Sequence, residues 1–165
     1  MRATDIVTLS MGRPIQAPVL IPVIHSSTPN CINEPIMING KIYGLTCISF
    51  GTPYGAVIVE DVESVDVSET GAALGTHALF PKGASIVFIQ VIDKDKLHAR
   101  LWQRGEGESA FSVEAACVAA TVSMMVQKIL TYEVDVMLGG HSVHVKWDRG
   151  GDDVSITGPT EVIQV

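Results

Sequence analysis

Residues 97–120 read LHARLWQRGEGESAFSVEAACVAA, and this stretch decides the fold. Its first part belongs to a strand, Lys96 to Arg104. The glycines of Gly105-Glu106-Gly107-Glu108-Ser109 then turn the chain into a helix from Ser112 to about Leu130. Val113, Ala116, Cys117, Ala120, Met124 and Ile129 fall near helical spacing, yet apolar residues occur all round. A helix apolar on every side is one wrapped by other structure. Ser112 reads as its N-cap, and Glu114 in the first turn suits the positive end of the helix dipole.

Outward from this core, strand signals dominate. Ile6–Met11, Lys41–Phe50, Gly55–Asp61, Ala84–Ile92, Glu133–Leu138, Ser142–Trp147 and Asp153–Thr157 are rich in β-branched or aromatic residues and bounded by turn formers. Asp93-Lys94-Asp95 predicts a tight hairpin link, and Gly139-Gly140 and Gly150-Gly151 supply the positive φ angles of two more. The runs lie too close together for helices between all of them, which disfavours parallel winding. A second, shorter helix is expected over Ser68–His77. Five prolines punctuate the first forty residues, which read as an extended arm plus one strand. The expected class is α+β: a curved, barrel-like antiparallel sheet around one long central helix, with residues 1–165 forming a single lobe.

Composition narrows the function classes. The 165 residues are 47% hydrophobic and 18% charged, which argues against disorder. The longest apolar stretch, Phe111 to Leu130, is broken by Ser112, Glu114, Ser123 and Gln127, which disfavours a membrane span. Eleven basic against 18 acidic side chains, with aromatics at 5%, disfavour nucleic acid. Three widely spaced cysteines and a start without an apolar leader predict reduced thiols in a cytosolic protein.

Few motifs carry chemistry by spacing. The 105–109 loop is either a plain turn or an anion nest, though Glu106 and Glu108 would repel phosphate. His141 and His144, three apart on a strand, point to opposite faces, and no metal site is expected. His25, His77 and His98 are isolated. Cys117 reads as buried packing, while Cys31 and Cys47 lack the cationic neighbours of a reactive thiolate. Ser112 and Glu114, beside Gln103-Arg104, read either as ordinary capping or as groups converging on one pocket.

Residues 97–120 resemble the stretch that carries a catalytic cysteine in the C-terminal half of diaminopimelate epimerases, approximately R-x-[WY]-E-R-G-x-G-E-T-x-A-C-G-T-G-A-C-A. The likeness extends through SMGRPIQAPVLIP (10–22), SFGTPYGAVIVEDVESVDV (49–67), HALFPKGASIVFIQV (77–91), GGHSVHVKWD (139–148) and TGP (157–159). It implies that only the family's C-terminal lobe is represented, without the N-terminal half that holds the second catalytic cysteine. It also implies that most of the chemistry is replaced. Ser112 stands at the cysteine position, Val113-Glu114-Ala115 at the glycine-rich carboxylate nest, and Gln103 at a glutamate. Thr52, Tyr54 and Ser85 replace an asparagine, a histidine and a second asparagine, and Arg104 alone is retained.

Family racemisation uses two thiols on opposite faces of the α-carbon. A glutamate at the nest would repel an amino-acid carboxylate by roughly 1–4 kcal/mol at contact. The resemblance therefore points to a repurposed, cofactor-independent isomerase or cyclase of specialised metabolism. Glu114, Arg104, Tyr54 and Ser112 are its expected catalytic residues, and Gln103, Thr52, Ser85 and Val113 line its pocket. The expected substrate is a small molecule more apolar than an amino acid. The family's two-lobed architecture implies that a lone lobe self-associates, giving a homodimer. The alternative is a non-catalytic binding or scaffold subunit, or one half of a split epimerase-like heterodimer.

Overall fold

Among the residues described by the computed structural model (5–24, 26–27, 29–148 and 153–163), the apolar runs become ten strands and two helices. The strands are β1 (Ile6–Gly12), β2 (Glu34–Ile38), β3 (Lys41–Ser49), β4 (Pro53–Ile58), β5 (Ser85–Asp93), β6 (Lys96–Gln103), β7 (Gly107–Ser109), β8 (Glu133–Leu138), β9 (His141–Lys146) and β10 (Val154–Pro159). The helices are α1 (Val67–Gly75) and α2 (Val113–Met125). One sheet runs in the order β1-β10-β9-β8-β6-β5-β4-β3-β2, with β7 paired beside β6.

Most pairings are antiparallel, but β4–β5 and β6–β8 are parallel. Each parallel pair is bridged by a helix, α1 between β4 and β5 and α2 between β6 and β8. The sheet is thus mixed, with two crossovers that strand spacing did not reveal. The physical trace of the first is β5, where Ile86, Val87, Phe88 and Ile89 are all buried. Such a run needs cover on both faces. Strand alternation divides it: Val87 and Ile89 join the core around α2, while Ile86 and Phe88 join a second core with Val67 and Leu74 of α1.

Helix α2 is enclosed as expected, with every residue from Ala115 to Met124 buried. Its buried hydroxyls bond back to the helix, Thr121 Oγ1 to the Cys117 carbonyl (2.8 Å) and Ser123 Oγ to that of Ala119 (2.7 Å). The helix stops at Met125 rather than near Leu130. Gln127 adopts a left-handed φ of 63°, and the amides of Lys128 and Ile129 both turn back to the Ser123 carbonyl. Helix α1 begins where the Asp66 carboxylate accepts from the Glu69 amide (3.1 Å).

The first forty residues hold more structure than an arm and one strand. β2 pairs antiparallel with β3 through Asn39-Gly40, whose φ values of 51° and 80° suit a two-residue hairpin turn. The expected hairpins at Asp93–Asp95 and Gly139-Gly140 form between β5 and β6 and between β8 and β9. The Gly150-Gly151 turn lies outside the described residues. The 105–109 loop is a hairpin turn, with β7 paired to β6 from Leu101 to Gln103 and the Glu106 amide bonded to the Gln103 carbonyl. No helix among the described residues is long and apolar enough to cross a membrane.

Candidate functional site

The start of α2 overhangs the ends of β4, β5 and β6, and a cleft of about 300 Å³ opens there. Thr52, Pro53, Tyr54, Ser85, Gln103, Arg104, Ser112 and Glu114 line it. Register explains the convergence. Tyr54 pairs with Ser85 in the parallel β4–β5 ladder, and Ile86 pairs with Trp102, so Gln103 and Arg104 follow beside Ser85.

Seven of the eight residues singled out from the sequence line this cleft. Val113 does not. Ser112 caps the helix, and Val113, the next residue round, turns inward and packs against the core cluster of α2. Pro53 takes a place on the lining instead. Its position between Thr52 and Tyr54 was the available signal for it.

Two hydrogen-bonded pairs organise the polar groups. The Thr52 hydroxyl donates to Glu114 Oε1 at 3.0 Å. The Tyr54 hydroxyl lies 3.4 Å from Ser112 Oγ, which also accepts the Ala115 amide at 3.2 Å. Ser112 therefore caps the helix and faces the cleft at once. Burial pushes the Tyr54 phenol above its ordinary value, the Ser112 hydrogen bond pulls against this, and the nearby Glu114 charge raises it further. Tyr54 thus keeps its proton at neutral pH.

Opposite them, the Arg104 amide donates to Ser85 Oγ at 3.0 Å. The Arg104 guanidinium reaches back to the Lys82 carbonyl through Nη1. Arg104 also lines the cleft, and its remaining guanidinium N–H groups make no hydrogen bond among the described residues.

The other singled-out groups lie elsewhere. Cys117, on the buried part of α2, has its thiol pushed up to about 12 by burial and by the Glu114 charge. His141 meets the Phe111 ring edge-on (centroids 5.5 Å apart), while His144 bonds Asp135 and Glu133. His77 Nδ1 accepts from the Leu79 amide, His98 lies 3.4 Å from Glu63, and His25 falls outside the described residues. Among the described residues no three His, Cys, Asp or Glu side chains are grouped to hold a metal ion. A second cleft, of about 340 Å³, lies beside His98 and Arg100. There the Arg100 guanidinium is bound by Glu108 (2.8 and 2.9 Å) and by the Val62 and Val65 carbonyls.

Comparison with known proteins places this geometry. The chain is 33% identical over 159 residues to diaminopimelate epimerase of Leptospira biflexa, covering 96% of the chain and 56% of that protein. It is 37% identical over 153 residues to diaminopimelate epimerase of Pseudomonas aeruginosa, covering 93% and 54% respectively. The chain thus spans about half the length of these curated relatives.

Solved structures share the fold at lower identity. A hydroxyproline epimerase from Agrobacterium vitis, solved with trans-4-hydroxy-L-proline, gives a TM-score of 0.62 at 14% identity over 94% of this chain and 50% of that one. A Bacillus anthracis phenazine biosynthesis protein of the PhzF family gives 0.55 at 17% identity over 93% and 57%. The diaminopimelate epimerase family profile matches residues 46–163, which include every residue of the cleft. The chain belongs to the diaminopimelate epimerase family.

Proposed function

We propose that this chain is the family's C-terminal lobe, with Ser112 at the position of the catalytic cysteine, and that it serves an isomerase or cyclase reaction without two-thiol racemisation. The observation that carries the reading is the pairing of Glu114 with Thr52 and of Tyr54 with Ser112 in one cleft beside Arg104. A carboxylate and a protonated phenol in one cleft suit proton removal and proton return. Glu114 is the base, held in place by the Thr52 hydroxyl. Tyr54, whose burial keeps the phenol protonated, is the acid. Ser112 steadies Tyr54, and the unbonded N–H groups of Arg104, with Gln103, stabilise a developing enolate oxygen. None of these steps calls on a cofactor.

Glu114 disfavours a ligand carboxylate, so the substrate is a carbonyl compound more apolar than a zwitterionic amino acid. The proposed setting is cytosolic, in specialised metabolism, and the proposed assembly is a homodimer whose lobes face each other across the cleft. Light scattering at micromolar concentration checks the assembly; a monomer there would refute it.

The chemistry is tested in D₂O against diaminopimelate and a panel of neutral enones and ketones. Deuterium uptake is expected only into members of the neutral panel. Glu114→Gln should abolish it and Tyr54→Phe should slow it at least tenfold. Exchange at the α-carbon of diaminopimelate by this chain alone would overturn the reading. A second reading, favoured by the half-length match, makes the chain one half of a split heterodimer. Exchange that appears only on adding a separate N-terminal lobe would establish it.

A further inference from the structure

Cys31 and Cys47 are sixteen residues apart in sequence, yet their sulfurs lie 2.9 Å from each other. Both side chains are fully buried, and neither takes part in the cleft. The backbone around them is held from both sides. Cys47 belongs to β3, whose hairpin with β2 sets Glu34 against Leu45. The Asn33 amide donates to Thr46 Oγ1 at 3.1 Å. Buried Glu34 accepts from the Ser26 hydroxyl (2.9 Å), the Ser27 amide (2.7 Å) and the Ser27 hydroxyl (2.5 Å), fixing the segment that leads into the turn Pro29–Cys31. Asn30, Cys31 and Asn33 all hold left-handed φ angles of about 50–55°, an unusual run for side-chain-bearing residues, and it turns Cys31 onto the strand. Mere filling of this core by small apolar groups does not require sulfur to meet sulfur.

We propose that Cys31 and Cys47 form a reversible intramolecular disulfide that staples the N-terminal arm to β3. The proposal is independent of the chemistry assigned to the cleft. Closing the bond brings the sulfurs together by roughly 1 Å. The two thiols are unequal: hydrogen bonds from Cys47 and Ser26 favour the Cys31 thiolate, while the contact with Cys31 and burial hold Cys47 protonated. The oxidant is a hydroperoxide, admitted when the 29–31 turn opens. The Cys31 thiolate attacks the peroxide, the O–O bond breaks, and a sulfenic acid and one hydroxide form. The hydroxide takes the Cys47 proton and leaves as water. Cys47 then attacks the Cys31 sulfur, breaking the S–O bond, and the departing hydroxide takes up the proton that the Cys31 thiol released on ionising, so that two thiols and one hydrogen peroxide give one disulfide and two waters. Ile21 and Val23 of the arm share the core cluster of the two cysteines, so the staple fixes that whole side of the sheet.

The test treats the full chain with hydrogen peroxide, then denatures it, alkylates it and maps the peptides. The expected result is a crosslink between the Cys31 and Cys47 peptides with loss of two hydrogens, reversed by dithiothreitol. Cys117 should be recovered fully alkylated, because it is buried and its thiol stays protonated. The oxidised protein should melt roughly 6–12 °C higher than the reduced one, as expected for a loop of this length. The crosslink should persist in Cys117→Ser and vanish in Cys47→Ala. Recovery of Cys31 and Cys47 as free thiols, irreversible oxidation of Cys31 without a crosslink, or crosslinks only between chains would each overturn the proposal, and all three are read on the unmutated protein.

Discussion

Gly71→Ala poses a contest between two opposing effects of known size. In a free helix interior the change adds about 0.5–1 kcal/mol of stability, because alanine loses less backbone entropy and favours the helix. Here Gly71 faces Trp102 of β6, and an added Cβ would lie 2.4 Å from the Trp102 Cβ and Cγ. Those atoms are the root of the side chain, so the indole cannot swing aside without moving β6. Overpacking of this kind costs about 1–3 kcal/mol. The net expectation is a loss of about 1–2 kcal/mol, a fall of roughly 2–8 °C in Tm for a chain of this size. Gly75→Ala should lose more, since its Cβ would meet both Trp102 Cζ3 (2.4 Å) and the Ala84 carbonyl (2.6 Å), and the Ala84 amide is bonded to the Gly75 carbonyl. Urea unfolding followed by the fluorescence of the two tryptophans measures the change. In a Trp102→Gly background, which removes the Cβ together with the indole, the clash disappears, so Gly71→Ala should become neutral or stabilising, with a coupling above about 1 kcal/mol. Stabilisation by Gly71→Ala in the native background, or additivity of the two changes, would refute the steric account.

Two further outcomes follow from side chains already described. Ser112→Ala removes the cap on α2 and should lower stability by about 1 kcal/mol, and Ser112→Asp, which keeps an acceptor, should recover most of it in the same urea assay. His144 titrates above its ordinary value: burial opposes the charged ring, but hydrogen bonds to Asp135 and Glu133, each 2.7 Å, outweigh it. A raised folded pKa contributes stability that is fully present below the unfolded value, near 6.5, and is lost as pH rises through the folded one. The stability advantage of wild type over His144→Gln should therefore shrink from about pH 6.5 upward, and a constant difference from pH 5 to 9 would count against the ion pairs.

The fold was legible where local chemistry suffices and hidden where it depends on neighbours. All eight of the expected runs became strands because their burial and their turns are local properties, and α2 declared its enclosure through apolar residues on all sides. β2 was hidden by Pro35 inside a proline-rich arm, although Asn39-Gly40 between Ile38 and Lys41 is a strong hairpin signal. The parallel pairings were hidden because hydrophobic period says which face a residue takes and not which strand it meets. The Cys31–Cys47 contact was hidden for the same reason. Beyond the β2–β3 hairpin, it depends on the left-handed Asn30, Cys31 and Asn33, which spacing does not reveal.

The cleft shows how much rests on that unread topology. Spacing alone left Ser112 and Glu114, beside Gln103-Arg104, as either a cap or part of a pocket, and Thr52, Tyr54 and Ser85 became visible only through positions shared with a family. What joins them physically is the parallel β4–β5 ladder. It starts both strands at the same end of the sheet, so Tyr54 and Ser85 meet there, and the antiparallel return of β6 brings Gln103 and Arg104 to that end. The crossover through α2 then lays the helix start over all three strand ends. The positions of the cleft groups are therefore set by the sheet, while their chemistry is set by single side chains at its rim. A substitution such as Thr52→Val changes that chemistry without touching a ladder or a cap, so it should leave the melting temperature nearly unchanged whatever it does to turnover. Glu114→Gln should cost about 0.3–1 kcal/mol, which its charge contributes in the first turn of α2. Ser112 is a further exception, because its Oγ serves the helix and the cleft together. Any loss of activity at Ser112 can be assigned to the cleft only when Ser112→Asp has the stability of wild type and Ser112→Ala does not.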